Sequence, residues 1–150
     1  MVAGWMILAR HLLTMANYIV QSDIESVFGA DNIATWSNLD NIDASANTDR
    51  ITSAINYAEA VIDDRFRSTR YAVPLQGDGV VLYVVKDWAA KLAGIWLYQS
   101  RGTHDDNEEG DKLSDVKEAV LGEMDTYLSS QRELNAVYSH SDIPTVPIVI

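Results

Sequence analysis

The sequence contains no cysteine. This absence excludes disulfide bonds, thiolate metal sites and a cysteine nucleophile. Basic residues are also scarce, because 22 Asp and Glu residues oppose 11 Lys and Arg residues and leave a formal net charge of −11. A chain of this charge repels the phosphates of DNA and RNA. The composition therefore argues against direct nucleic-acid binding.

The hydrophobic run near the N-terminus, Val2 to Ala9, is far too short to span a bilayer. Its positive residues, Arg10 and His11, follow the run, whereas a secretory signal places them before it. We therefore expect neither a signal peptide nor a membrane partner. Residues 1–17 are interpreted as an extended arm whose apolar side chains enter the surface of a neighbouring subunit or partner. These side chains are Trp5, Met6, Ile7 and Leu8.

The chain has 150 residues and 47% hydrophobic content, which suits one compact domain with a core. Its most regular stretch runs from Thr48 to Leu75, where apolar residues recur at three- and four-residue steps and predict an amphipathic helix. Thr48 or Asp49 can cap this helix, and Pro74 ends the element. We expect the domain to fold around its apolar stripe, which comprises Ile51, Ala54, Ile55, Ala58, Ile62 and Phe66.

Two short helices are predicted before this one. Ser22 and Glu25 have the spacing of a capping box, which opens a helix that Gly29 ends. A second short helix spans Asp31 to Ser37. In the first helix the residues expected to face inward are Ile24, Val27 and Phe28, and in the second Ile33 and Trp36 are apolar.

Two long helices are predicted after it. An unbroken apolar pattern from about Val80 to Arg101 indicates one buried helix, and Gly102 ends it. Another runs from about Lys112 to Arg132. Its apolar face comprises Leu113, Val116, Val120, Met124, Tyr127 and Leu128. On the same grounds Trp36, Trp88 and Trp96 are expected in the core.

These patterns predict an all-α fold. It is a small bundle of two short N-terminal helices and three longer helices, covering residues 18–134, with the extended arm at 1–17 and an extended tail at 135–150. The tail is aliphatic, and its prolines exclude a helix but allow edge pairing, so it fits docking on a partner. Folding back onto its own domain is the alternative. The docking residues are Ile143, Pro144, Val146, Pro147, Ile148, Val149 and Ile150.

No arrangement of residues points to catalysis or to a resident cofactor. His11, His104 and His140 show no spacing of a triad or of a helical metal site. Within the acidic segment Thr103 to Asp111, a calcium loop that starts at Asp105 would have several ligands in place, but its twelfth position would be Val116 instead of glutamate. We therefore expect a solvated acidic loop, no metal, no cofactor and no enzyme.

One set of residues resembles a known family. It includes Tyr18, Asp23, Phe28-Gly29 and the Leu39-Asp40 turn. It continues with the helix from Ile51 to Ala58, the turn Arg70-Tyr71-Ala72-Val73-Pro74-Leu75, and Asp87-Trp88-Ala89-Ala90 with Leu92. Together they resemble the head-tail adaptor (connector, or head completion) proteins of tailed bacteriophages, in particular the Mu-like branch. The turn between two long helices is the most specific part.

This resemblance implies a structural virion protein without chemistry. Such adaptors form rings, usually of 12 copies, that join the portal at the capsid vertex to the stopper or tail-completion protein and extend the DNA channel. The tail would grip the portal, and DNA would pass through the lumen without specific binding. The protein would assemble in the host cytoplasm and reside in the virion, at the head-tail interface.

Within such a ring, two groups of charged residues have candidate roles. The acidic segment is the candidate for lining the channel, through Asp105, Asp106, Glu108, Glu109 and Asp111. The basic group, Arg65, Arg67 and Arg70, either complements its own helix dipole or bridges to an acidic patch on the next subunit. Two rival functions stay open. One is a small acidic DNA mimic or inhibitory binding protein, and the other is a helical hydrolase or lyase with a concave pocket.

Overall fold

The computed structural model describes residues 18–40, 44–77, 82–101, 108–136 and 138. The helices in these ranges are α1 Gln21–Phe28, α2 Ala30–Ser37, α3 Thr48–Phe66, α4 Tyr83–Gln99 and α5 Glu108–Leu128. The predicted all-α bundle of two short and three longer helices is confirmed. The arm at 1–17 and the docking residues at 143–150 lie outside the described residues.

Helix α4 lies at the centre of the bundle and contacts α1, α2, α3 and α5. Its buried residues extend over most of its circumference instead of forming one stripe, which is the pattern of a helix at the centre of a bundle. The domain is therefore organised around α4, and the expectation that it folds around α3 is wrong. The buried residues of α4 are Val85, Trp88, Ala89, Ala90, Leu92, Ala93, Gly94, Ile95, Leu97 and Tyr98.

Helix α3 packs its predicted stripe against α4, and all six apolar positions of that stripe are buried. Two of the three tryptophans expected in the core are also buried, Trp36 and Trp88. Trp96 is only half-buried, because it lies at the edge of the core. There the Arg50 guanidinium lies 5.1 Å from the centre of its ring.

The caps of two helices and the end of α3 differ from the sequence prediction. Helix α3 ends at Phe66, where the chain turns at 67–70, and not at Pro74. Helix α3 is capped by Asn47, whose Oδ1 accepts a hydrogen bond from the Arg50 N–H at 3.2 Å, and not by Thr48 or Asp49. Helix α1 begins at Gln21, so its third position is Asp23, whose carboxylate accepts from the Val20 N–H at 2.8 Å. The predicted Ser22–Glu25 capping box is therefore wrong.

The two long C-terminal helices have different ends from those predicted. Helix α4 covers Tyr83–Gln99, within the predicted range. Helix α5 begins at Glu108 and ends at Leu128, so it is displaced towards the N-terminus relative to the prediction. Acidic side chains stabilise the positive end of a helix, and three of them lie in its first turn. The acidic segment is therefore helical from Glu108 onwards and not a loop there.

The predicted apolar face of α5 is confirmed. Leu113, Val120 and Met124 are buried. Val116, Tyr127 and Leu128 are partly buried and pack against the core. In the described parts of the chain, no helix is both long enough and apolar enough to cross a membrane.

Candidate functional site

The turn Arg70–Leu75, which follows α3, fixes the C-terminal end of the domain. Tyr71 is buried in this turn, and its phenol oxygen accepts a hydrogen bond from the Leu134 N–H at 2.9 Å. Its ring stacks on Tyr138 with 5.6 Å between centroids and 15° between planes. An isolated antiparallel bridge also joins these two tyrosines. Leu134 is thus held on the turn by a hydrogen bond, and Tyr138 by a ring stack and backbone pairing.

Close packing at Gly77, just after the turn, reinforces this attachment. A Cβ atom added at Gly77 would lie 2.3 Å from the Asn135 carbonyl oxygen, a distance that excludes any side chain. Glycine is required here because two backbone segments approach each other directly. The start of the predicted tail segment 135–150 therefore packs against its own domain.

The same turn also holds the N-terminal end of the domain. The Leu75 N–H donates to the Tyr18 phenol oxygen at 2.8 Å, and the phenol in turn donates to the Asp63 carboxylate. The Tyr18 backbone N–H donates to Glu59 at 2.8 Å, and the Ile19 N–H donates to the same oxygen at 3.4 Å. Glu59 and Asp63 lie one helical turn apart on α3, which puts both carboxylates on one side.

Burial changes the proton affinity of this network. Desolvation raises the pKa of the Tyr18 phenol far above its ordinary value, and the nearby Asp63 carboxylate raises it further. Burial also raises the pKa of Asp63, against the opposing effect of the hydrogen bond that it receives from Tyr18. The phenol is therefore protonated throughout the physiological pH range and remains a donor to Asp63. We call the residues Tyr18, Glu59, Asp63, Tyr71, Leu75 and Tyr138 the terminal anchor.

Replacing Tyr71 with phenylalanine should lower the free energy of unfolding by about 1–3 kcal/mol, because the buried Leu134 N–H loses its acceptor. Urea denaturation followed by circular dichroism measures this change. Tyr57→Phe is the matched control, since Tyr57 is half-buried and contacts Trp96 through its ring. That control should stay within about 0.5 kcal/mol of the parent. Equal losses in the two variants would contradict the role given to the Tyr71 hydroxyl.

A cleft opens beside the terminal anchor, where the turn after α3 meets the end of α5. It has a volume of about 470 Å³. The Arg65 guanidinium pairs with Asp125 at 3.0 Å at its edge. The Arg70 guanidinium donates to the Ser130 hydroxyl at 3.3 Å and to the Tyr71 phenol at 3.2 Å. The lining residues are Arg65, Ser68, Thr69, Arg70, Tyr71, Tyr127, Leu128 and Ser130.

The structure separates the charged residues that the sequence singled out. Arg65 and Arg70 line the cleft, whereas the Arg67 side chain is 68% exposed outside the lining and pairs with Asp64 at 3.0 Å. Three of the channel-lining candidates lie in the first turn of α5, namely Glu108, Glu109 and Asp111. The other two, Asp105 and Asp106, lie outside the described residues. Trp5, Met6, Ile7 and Leu8 of the arm and the tail residues from Ile143 to Ile150 also lie outside them.

A second, smaller cavity of about 170 Å³ lies between α1 and the start of α4. Tyr83 at its rim is 86% exposed, and Val27 is 39% exposed instead of facing inward as predicted. Val27 points away because the short α1 turns Ile24 and Phe28 towards the core. Both apolar side chains are therefore exposed at the rim of this cavity.

Sequence patterns did not single out Tyr18, Glu59 and Asp63 as an interacting group. One signal was present: Glu59 follows Ile55 by four residues and so lies on the apolar stripe of α3. A carboxylate on an apolar stripe needs buried donors. Nothing in the sequence shows that the donors come from residues 18 and 19. In the described part of the chain, no three His, Asp or Glu side chains converge closely enough to hold a metal ion.

The comparison with known families matches the part of the chain that builds this site. Residues 18–125 match the family model described as Bacteriophage Mu, Gp36. The chain belongs to this family. The predicted resemblance to Mu-like phage proteins is thereby confirmed, and membership points to a structural, virion-associated phage protein. No curated protein and no solved structure matches the chain.

The match to the Gp36 family begins at Tyr18, the first residue of the terminal anchor. It includes Glu59, Asp63 and the whole turn from Arg70 to Leu75. It ends at Asp125, the partner of Arg65 at the edge of the cleft. Most of the terminal anchor thus belongs to the part of the chain shared with the family.

Proposed function

We propose that this chain is a head-tail adaptor. Copies of it, 12 in the form implied by the resemblance, make a ring that joins the portal at the capsid vertex to the stopper or tail and extends the DNA channel. The observation that carries this proposal is the terminal anchor. The two apolar terminal segments of the sequence join the domain at Tyr18 and Tyr138, and both residues are fixed on the turn Arg70–Leu75.

This arrangement suits segments that bind partners and transmit force. A segment that binds a neighbour holds the domain in place only if the residues that join the segment to the domain stay folded under load. We call these residues the C-terminal root, Leu134 and Tyr138, and the N-terminal root, Tyr18 and Ile19. At the C-terminal root Leu134 is buried and Tyr138 stacks on Tyr71, and at the N-terminal root Tyr18 and Ile19 are buried. Local opening is therefore costly at both roots, since it exposes buried apolar surface and backbone hydrogen bonds.

The charge of the chain supports passage of DNA without binding. A ring of 12 copies at −11 each carries roughly −130 charges, which repel phosphates along the channel. The proposed role places the protein at the head-tail interface of the virion and requires no catalysis.

Removing the tail should weaken portal binding strongly. We expect a chain truncated after Asp142 to bind the portal protein of the same phage at least about a hundredfold more weakly, because a few buried apolar anchors dominate such interfaces. Biolayer interferometry with immobilised portal measures the dissociation constant.

The matched control keeps the length of the chain. In it, the five aliphatic residues among the docking positions are replaced by serine, and its affinity should fall as far as that of the truncated chain. Circular dichroism should show unchanged helicity in both variants, because the described helices end at Leu128. Parental affinity in the truncated chain would refute tail docking.

A further inference from the structure

The cleft beside the terminal anchor is lined by hydrogen-bond donors although the protein is strongly acidic. Its lining contains two guanidinium groups, three aliphatic hydroxyls and two phenols. The one carboxylate described at its edge, Asp125, pairs with Arg65 and offsets part of this positive charge. Guanidinium and hydroxyl groups that converge on one space suit the oxygens of an anionic group. The cleft therefore has the chemistry of a site for carboxylates.

The opposite end of α5 carries the complementary charge. Its first turn contains Glu108, Glu109 and Asp111, and Asp115 follows one turn later on the exposed surface. Lys112 pairs with Glu108 at 2.8 Å, so the surface keeps an excess of negative charge through the other three carboxylates. Tyr127 and Leu128, at the other end of the same helix, line the cleft. The helix has 21 residues, so the two surfaces lie about 30 Å apart at a rise of 1.5 Å per residue. One chain cannot bring its own acidic helix start into its own cleft.

We infer that the cleft binds the acidic start of α5 from the next copy of the chain. This inference rests on the proposed ring, and it names the two surfaces that meet. Two different surfaces on each copy make a heterologous contact, which closes into a ring when the rotation between copies permits. The same pair of surfaces then repeats between all neighbours.

The net charge explains why a second copy is the occupant and a nucleic acid is not. At −11 per chain, the overall field repels phosphates, so two guanidiniums inside a cleft do not draw DNA to the surface. Copies of equal charge repel one another as well. Their association requires a contact where the local charges are complementary, and such contacts also set the register between partners. The cleft and the helix start supply this complementarity.

Cysteine cross-linking tests this contact directly, because the natural chain contains no cysteine. Ser68, an exposed residue that lines the cleft, is replaced by cysteine in one variant, and Glu109 is replaced by cysteine in another. We expect mild oxidation of the mixed variants to yield a disulfide-linked dimer. The double variant S68C/E109C should yield a ladder of oligomers on a non-reducing gel. Ser53→Cys is the matched control, since Ser53 is exposed on α3 outside the cleft, and with E109C it should give no dimer above background.

The experiment is run with the portal protein of the same phage, and electron microscopy reports in parallel whether rings form. Rings with a ladder support the inference. Rings without a ladder overturn the contact between cleft and helix start but leave the adaptor function intact. Absence of both rings and ladder overturns the proposed function, and this inference falls with it.

Charge exchange gives an independent measurement. The double variant R65E/R70E and the triple variant E108K/E109K/D111K should each assemble about tenfold to a hundredfold more weakly than the parent, because like charges then face each other. The chain that carries all five substitutions restores complementarity with opposite sign. It should assemble at least tenfold more strongly than either the double or the triple variant. Asp49→Lys is the control, because it also reverses the charge of an acidic residue in the first turn of a helix, here α3. Absence of recovery in a folded five-substitution chain would refute the pairing.

Discussion

Replacing Trp88 with alanine should lower the free energy of unfolding by about 3–5 kcal/mol, the largest stability effect expected in this chain. Trp88 is fully buried on the central helix α4. Its ring lies 6.0 Å from that of Phe66 on α3 and 5.5 Å from that of Tyr127 on α5. Its indole Nε1–H donates to the Glu123 carboxylate at 3.2 Å. The substitution therefore leaves a cavity where three helices meet.

Urea denaturation measures this loss, and Trp96→Ala is the matched control on the same helix. Trp96 is half-buried, and its ring contacts Tyr57 and the Arg50 guanidinium at the edge of the core. Its removal should cost less than half as much, because neighbouring side chains and water can fill the space. If both variants lost the same stability, the central position of Trp88 would be refuted.

Replacing Glu59 with leucine should lower the free energy of unfolding by about 2–5 kcal/mol, since two buried backbone N–H groups then lose their acceptor. Glu59 is only 5% exposed. One of its oxygens accepts from the Tyr18 N–H at 2.8 Å and from the Ile19 N–H at 3.4 Å. The N-terminal root of the domain should also open more often, and limited proteolysis after residue 17 should become faster.

Glu59→Gln separates the effect of the hydrogen-bond acceptor from that of the negative charge. Its amide oxygen can still accept from both N–H groups, so this variant should lose less than half of what Glu59→Leu loses. Comparable losses in the two variants would show that the negative charge, and not the acceptor, stabilises the contact. Unchanged proteolysis in Glu59→Leu would contradict the assignment of Glu59 to the terminal anchor.

The positions and apolar faces of the helices could be predicted from the sequence. The stripe of α3 from Ile51 to Phe66 is buried as its spacing requires, and the apolar face of α5 packs against the core. Helix ends were less predictable. Asn47 caps α3 in place of Thr48 or Asp49, and α5 begins at Glu108 within a segment interpreted as a loop. Several neighbouring residues can cap a helix or begin it at similar free energy, so contacts with the rest of the fold decide between them.

The candidate site could likewise be predicted from the sequence only in part. The sequence marked the turn Arg70–Leu75 through a resemblance, and it marked the arginines near it through their charge. It did not show that Arg65 and Arg70 line a cleft while Arg67 lies outside it. A shift of two or three positions at the end of a helix turns a side chain by a large fraction of a circle, so neighbours in sequence face different surroundings.

The sequence by itself determined the helical class, the acidity, the absence of thiol chemistry and the membership of a phage family, because composition and local periodicity encode these properties. Only the tertiary structure decided that α4 is the central helix and that Tyr18 and Tyr138 are fixed on one turn. The contacts of the two tyrosines join residues more than fifty positions apart. The free energy that selects these contacts and the central helix comes from packing whole helices together, which no local pattern records.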